Sequence, residues 1–128
     1  MGNRANVAIK QDMKNQDGSD VYIYLYTHWN GDLLPFMVKS ALKNGQSRWG
    51  HTAYITRIIF SEMIKKEVED VTGYGISVNL VDNEHPIIYI DDKINTVTIK
   101  NTVWNYKEFI DITDEEIYRV YSDNNDED

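Results

Sequence analysis

Residues 47–57, SRWGHTAYITR, gather two guanidinium groups, an indole, an imidazole and a phenol in one short stretch. Arg48, Trp49, His51, Tyr54 and Arg57 are residue types that can hold a flat anion such as a nucleotide. Guanidinium forks grip phosphate in pairs and aromatic rings stack on a base. The same residues also fit a structural role, with Trp49 closing the edge of a core and Arg57 pairing with an acid such as Glu62. The histidines, His28, His51 and His85, lie at expected element ends, with Asp32, Asp82 and Glu84 as conceivable co-ligands of a metal. No HxH, HxxxH or HExxH spacing occurs, so nothing local places two ligands on one face. Ser47, Ser61 and Ser77 lack a nucleophile elbow, and there is no cysteine. TGYGIS, residues 72–77, lacks the glycine spacing that cradles phosphate, and Asp91-Asp92 falls in a turn, where aspartate is favoured for geometry. No catalytic residue, metal ligand or cofactor is assigned, and the expectation is a protein that is not an enzyme.

A second pattern concerns surface rather than chemistry. VYIYLYTHWNG, residues 21–31, places Tyr22, Tyr24 and Tyr26 at alternate positions opposite Val21, Ile23 and Leu25. On a strand this segregates an apolar side from a phenolic one. The phenolic side is expected to share its face with Ala8 or Lys10, with Ser77 and Asn79, and with Thr98 and Lys100. That mixture is too polar for a second core. Only Lys10 and Lys100 bring positive charge, too little for a single-stranded nucleic acid platform. Tyrosine-rich, charge-poor patches are typical of protein contacts, so a partner or a second copy is expected there. A homodimer or higher symmetric oligomer follows as an expectation.

The chain has 128 residues, enough for one domain with a core of its own, and a net charge of -8. Residues 108–128 hold nine acids against Arg119 alone, while the rest of the chain balances. A neutral body with an acidic end argues against duplex DNA, which requires a basic footprint. It suits solubility or contact with a basic protein surface, to which Asp114, Glu115 and Glu116 would contribute. The absence of cysteine fits a reducing cytoplasm, and no stretch is apolar enough to span or anchor in a membrane.

Strands are expected at residues 4–10 and 21–27, joined by the polar QDMKNQDGSD, and helices at about 32–43 and 52–71. In the first helix Asp32 is the expected cap, Pro35 falls in the first turn, and Leu34, Met37, Val38, Ala41 and Leu42 form the apolar stripe. In the second, Ile55, Ile58, Ile59, Met63 and Val68 repeat at helical spacing. Three short strands follow, with Ile76, Val78, Leu80, Val97 and Ile99 facing inward. VWNYKEFI reads either as a strand end or as a helical turn capped by Asn105 and Glu108, and Thr113 opens a last helix. The order β-β-α-α-β-β-β-α gives an α+β domain over residues 1–121. It comprises an antiparallel sheet of about five strands, two main helices on one face and a short C-terminal helix, followed by an acidic tail at 122–128.

GNRANVAI, VYIYLYTHWNG, RWGHTAYITRIIFSEMI, and TGYGIS with DNEHPIIYID together resemble a group of small uncharacterised proteins of tailed phages and prophages, over about residues 2–110. The resemblance implies a phage-encoded accessory protein acting in the host cytoplasm and supplies no catalytic residues. The expectation is a non-enzymatic, anti-defence-like inhibitor that binds or redirects a host protein, such as a CRISPR or restriction nuclease. A nucleotide-signal sponge built on Arg48, Trp49, His51, Tyr54 and Arg57 is the alternative, with a metal-dependent hydrolase as a third reading.

Overall fold

The computed structural model describes residues 3–80 and 82–122. Residues 123–128, nearly all of the expected acidic tail, lie outside them. Alternation in ANVAIK and VYIYLY builds a central hairpin of β1 (Ala5–Lys14) and β2 (Asp20–Thr27), with Val7 opposite Leu25 and Ala8 opposite Tyr24. β1 continues through Lys14, so half of the polar decapeptide is strand and the turn is confined to residues 15–19. There Asp17 Oδ1 accepts from the Ser19 amide at 2.9 Å, and Gly18 takes a φ of 90°. This is an Asx turn with a left-handed glycine.

Four short strands complete the sheet: β3 (Tyr74–Ser77), β4 (Ile88–Asp91), β5 (Thr96–Ile99) and β6 (Thr102–Asn105). Their order is β3-β2-β1-β4-β5-β6. The architecture is α+β as expected, but the sheet has six strands and is mixed, because β4 runs parallel to β1 with Val7 opposite Ile88. Residues 78–87 carry the chain from the β3 edge to the far side of β1. Asn6 fastens this crossing by donating from Nδ2 to the Asp82 carbonyl and to Asn83 Oδ1, both at 3.1 Å.

The helices lie on one face. After a 3-10 turn at Gly31–Leu33, α1 (Leu34–Asn44) has Pro35 in its first turn and buries Leu34, Val38, Ala41 and Leu42. Asp32 is not its cap; the Asp32 carboxylate instead accepts from Asn3 Nδ2 at 2.8 Å. α2 (Thr52–Ile64) buries Ile55, Ile59 and Met63 and stops seven residues before the expected end. Glu67 is held away from a helical path, its Oε1 accepting from the Tyr74 hydroxyl and from Trp29 Nε1, while Val68 and Val71 are exposed.

This shortening has a further consequence. Ile76, Val78 and Leu80, expected to face inward, are 59%, 65% and 47% exposed. β3 is an edge strand, and the chain leaves the sheet after Ser77. The ambiguous VWNYKEFI is both elements in turn: β6, then α3 (Tyr106–Asp111) with a complete Asn105–Glu108 capping box. Thr113 caps α4 (Asp114–Tyr121).

Val7, Ile9, Leu25, Ile88, Ile90, Val97, Ile99 and Trp104 form the sheet side of the core. Each fully buried Ile or Leu contributes about 1.5–3 kcal/mol. At one end of the core, Asp92 is only 1% exposed. It accepts from the buried Tyr106 hydroxyl at 2.7 Å and from Thr52 Oγ1 at 3.4 Å, which ties the β4–β5 turn to the start of α2.

Candidate functional site

Because the helices pack on one side, the odd-even alternation of β1, β2, β4 and β5 leaves a second face without a covering layer among the described residues. Lys10 lies opposite Tyr22, Ala8 is flanked by Tyr24 and Tyr89, Tyr26 lies opposite Gly75, and Thr98 lies between Tyr89 and Val103. The rings order themselves: Tyr22 packs edge-on against Tyr89 with centroids 5.7 Å apart, and tilts against Tyr24 at 6.4 Å. Ala8 is fully buried beneath this layer although it points away from the core. A depression of about 640 Å³ opens between the tyrosines and the strip of Thr96, Thr98 and Val103, with Ile94 also at its wall. Tyr89, Val103 and Ile94 are 39%, 59% and 66% exposed. Among the described residues, the hydroxyls of Tyr22, Tyr24 and Tyr89 make no hydrogen bond within the protein.

The charges on this face are paired. Lys10 Nζ lies 3.3 Å from Asp91 Oδ2 and 3.6 Å from Asp20 Oδ2. The hydrogen bond and attraction of Asp91, followed by the charge of Asp20, hold the Lys10 ammonium above the usual lysine range. Lys14 neutralises the other Asp20 oxygen at 2.5 Å, and Lys93 faces Asp12 at 4.0 Å. Burial raises the Tyr22 phenol above its ordinary value, so it stays a neutral donor at physiological pH. At the Tyr26 end, the Tyr26 hydroxyl meets His28 Nδ1 at 2.8 Å, and Arg4 pairs with Glu84 at 3.3 Å.

The tyrosine alternation therefore places Tyr22, Tyr24 and Tyr26 together on one open face. Tyr89, Ile94, Thr96 and Val103 extend that surface and were missed in the sequence reading. For Tyr89 a signal existed, since the flanking Ile88 and Ile90 are core and alternation must send Tyr89 outward.

Of the Arg48 group, Arg48, His51 and Tyr54 stay together, while Trp49 and Arg57 turn elsewhere. Trp49 turns into the edge of the core, with its Nε1 donating to the Leu42 carbonyl at 3.0 Å and its ring edge-on to Tyr106 at 5.2 Å. Arg48 lies over the Tyr54 ring at 4.6 Å, and His51 meets the same ring edge-on. Arg57 points along α2, with Nη1 donating to Ser61 Oγ at 3.5 Å. Of the acidic trio, Asp114 pairs with Lys39 at 2.8 Å, Glu116 pairs with Arg119, and Glu115 is exposed. All three occupy the first turn of α4, where acids offset the helix dipole.

His85 stacks on Tyr121 with rings 5.3 Å apart and 6° from parallel, while its Nε2 donates to Asn3 Oδ1 at 2.5 Å. Burial lowers its pKa, which favours the neutral ring. Among the described residues no group of three or more His, Asp or Glu is placed to hold a metal ion, and no helix is long and apolar enough to cross a membrane. No family model, curated protein or solved structure matches this chain.

Proposed function

We propose that the protein is a non-catalytic binding module that seats a protein partner on the uncovered tyrosine face of its sheet. One observation carries this reading. The molecule builds a full helical layer over one face and leaves Tyr22, Tyr24, Tyr26 and Tyr89 with the exposed Val103 and Ile94 on the other. Tyrosine supplies large contact area at low conformational cost, and its hydroxyl satisfies polar groups of a partner. Anchors of this kind typically cost about 2 kcal/mol or more when truncated. The resemblance to phage and prophage proteins supplies a setting in which the assembly so formed inhibits or redirects a host protein. The first-turn acids of α4 already serve their own helix and Lys39, so the tyrosine face rather than the acidic end is the working surface.

The test uses the full chain as bait in bacterial host lysate, in four forms: wild type, Tyr24→Glu, Tyr89→Glu and Glu115→Lys. A protein retained by wild type and by Glu115→Lys, and lost with both tyrosine variants, is the expected result. Equal retention by all four forms would overturn the assignment of the face.

A further inference from the structure

The charge layout narrows what the tyrosine face can receive. The chain carries a net charge of -8, so two copies repel each other over most orientations. The described acids of the C-terminal segment, Glu108, Asp111, Asp114, Glu115 and Glu116, lie on α3 and α4, whose apolar residues pack onto the opposite side of the sheet. On the tyrosine face, by contrast, the ion pairs nearly balance: Lys10 with Asp91 and Asp20, Lys14 with Asp20, Lys93 with Asp12, and Arg4 with Asp82 and Glu84 at the Tyr26 end. These pairs offer a basic partner one acid in excess and an acidic partner no excess of positive charge. A second copy of this acidic chain can approach there with little local repulsion. The helical layer sits about 10 Å behind the sheet, comparable to the Debye length of roughly 8 Å at physiological salt.

Shape agrees with charge. A two-fold contact needs a hollow and a projection on the same patch. The depression between the tyrosines and Thr98 is the hollow, and Ile94, 66% exposed at its wall in the β4–β5 turn, is the projection. Phenolic hydroxyls both donate and accept, so Tyr22, Tyr24 and Tyr89 can pair with their own copies and leave no unsatisfied group. Two strands of ten and eight residues and four of four residues, at about 3.3 Å per residue and about 4.8 Å spacing, give a face of roughly 500 Å² in projection. Side-chain relief brings this near the ~800 Å² per partner of a standard interface.

We propose that the occupant of the tyrosine face is a second copy of this chain, packed two-fold with Ile94 of each copy in the hollow of the other. This rests on the reading of the face as a protein contact, and it fixes the sign of the salt effect. Contact between a basic and an acidic surface weakens as salt rises. A nearly neutral seam between two acidic chains strengthens, because salt screens only the residual repulsion behind it.

Sedimentation equilibrium of the full chain at about 1–100 µM tests this, in roughly 0.05 M and 0.5 M sodium chloride. A monomer–dimer equilibrium that tightens several-fold in the higher salt is expected. Tyr89→Glu and Ile94→Asp, both at exposed positions, should weaken it at least about tenfold, with unchanged circular dichroism and melting. Glu115→Lys, on the far side, should leave it equal or tighter. A wild type monomeric at the top concentration in both salts overturns the second copy, as does a dimer indifferent to Tyr89→Glu and Ile94→Asp. Loss of a different bound protein with Tyr89→Glu in the lysate experiment would then leave the face as a protein contact. Retention there as well would remove both.

Discussion

Replacing Tyr106 by phenylalanine removes one oxygen from a buried polar contact at the end of the core. Tyr106 is fully buried, and its hydroxyl donates to Asp92 Oδ1 at 2.7 Å. The other donors to this carboxylate are the Gly50 amide and Thr52 Oγ1, the latter at a long 3.4 Å. A hydrogen bond to a charged group is worth about 1.5–3 kcal/mol, and the ring itself is kept, so the expected loss is about 2 kcal/mol. For a domain of this size that lowers the melting temperature by roughly 6–12 °C.

The loss depends on pH, and its sign follows from burial. Burial is the main cause that raises the Asp92 pKa above the ordinary carboxylate value, opposed by the hydrogen bond from Tyr106. The folded state therefore binds the Asp92 proton more tightly than the unfolded state. Stability from this group is complete below about pH 3.9 and is lost as pH rises through the folded-state pKa. Phenylalanine at 106 raises that pKa further, so its deficit should grow from pH 4 to pH 7. Asp92→Asn, which cannot ionise, should gain on wild type over the same interval. Urea unfolding followed by tryptophan fluorescence reads both, because Trp49 lies against Tyr106 with centroids 5.2 Å apart. A Tyr106→Phe deficit below about 0.5 kcal/mol, or one that shrinks toward neutral pH, would refute the reasoning.

Gly73→Ala should destabilise by more than about 1 kcal/mol in thermal melts, since Gly73 has a φ of 98° and a Cβ there would lie 2.3 Å from Cζ2 of Trp29. Asn105→Ala dismantles the capping box of α3 and should cost about 1 kcal/mol in urea unfolding, with the tyrosine face unaltered. The lowered pKa of His85 means its contribution is complete above about pH 6.5 and is lost as pH falls through the folded-state value. Wild-type stability should therefore drop between pH 7 and pH 5 more steeply than that of His85→Gln.

Local rules made several elements legible. Alternation places the β1–β2 hairpin and its tyrosine row, and the caps at Asn105 and Thr113 form with the partners their spacing offers. What escaped depends on distant parts of the chain. The pattern in residues 65–71 is helical, but Tyr74 and Trp29 claim Glu67 and end α2 early. Ile76, Val78 and Leu80 alternate like a half-buried strand, yet whether a helix covers them depends on where α2 stops. The parallel β1–β4 pairing joins residues about eighty positions apart and has no local signature. In the Arg48 group, sequence proximity says nothing of direction, and Trp49 faces the core while Arg48 and Tyr54 face outward. Asp92 is a turn residue as its sequence indicates, but its burial has no local signal because neither Tyr106 nor Thr52 is near it in sequence.

The parallel seam also sets a timetable for synthesis. β1 leaves the ribosome about eighty residues ahead of β4, its partner on one side, which begins at Ile88. Until then the central strand of the sheet has its β2 edge paired and its other edge bare, with Val7 and Ile9 lacking half their neighbours. Residues 88–105 form a meander of their own, β4 with β5 and β5 with β6, and α3 is capped onto its end. Joining this meander to β1 closes a loop of about eighty residues, the kind of long-range closure that slows folding. The nascent chain is thus most exposed to strand-edge aggregation just before Ile88 emerges.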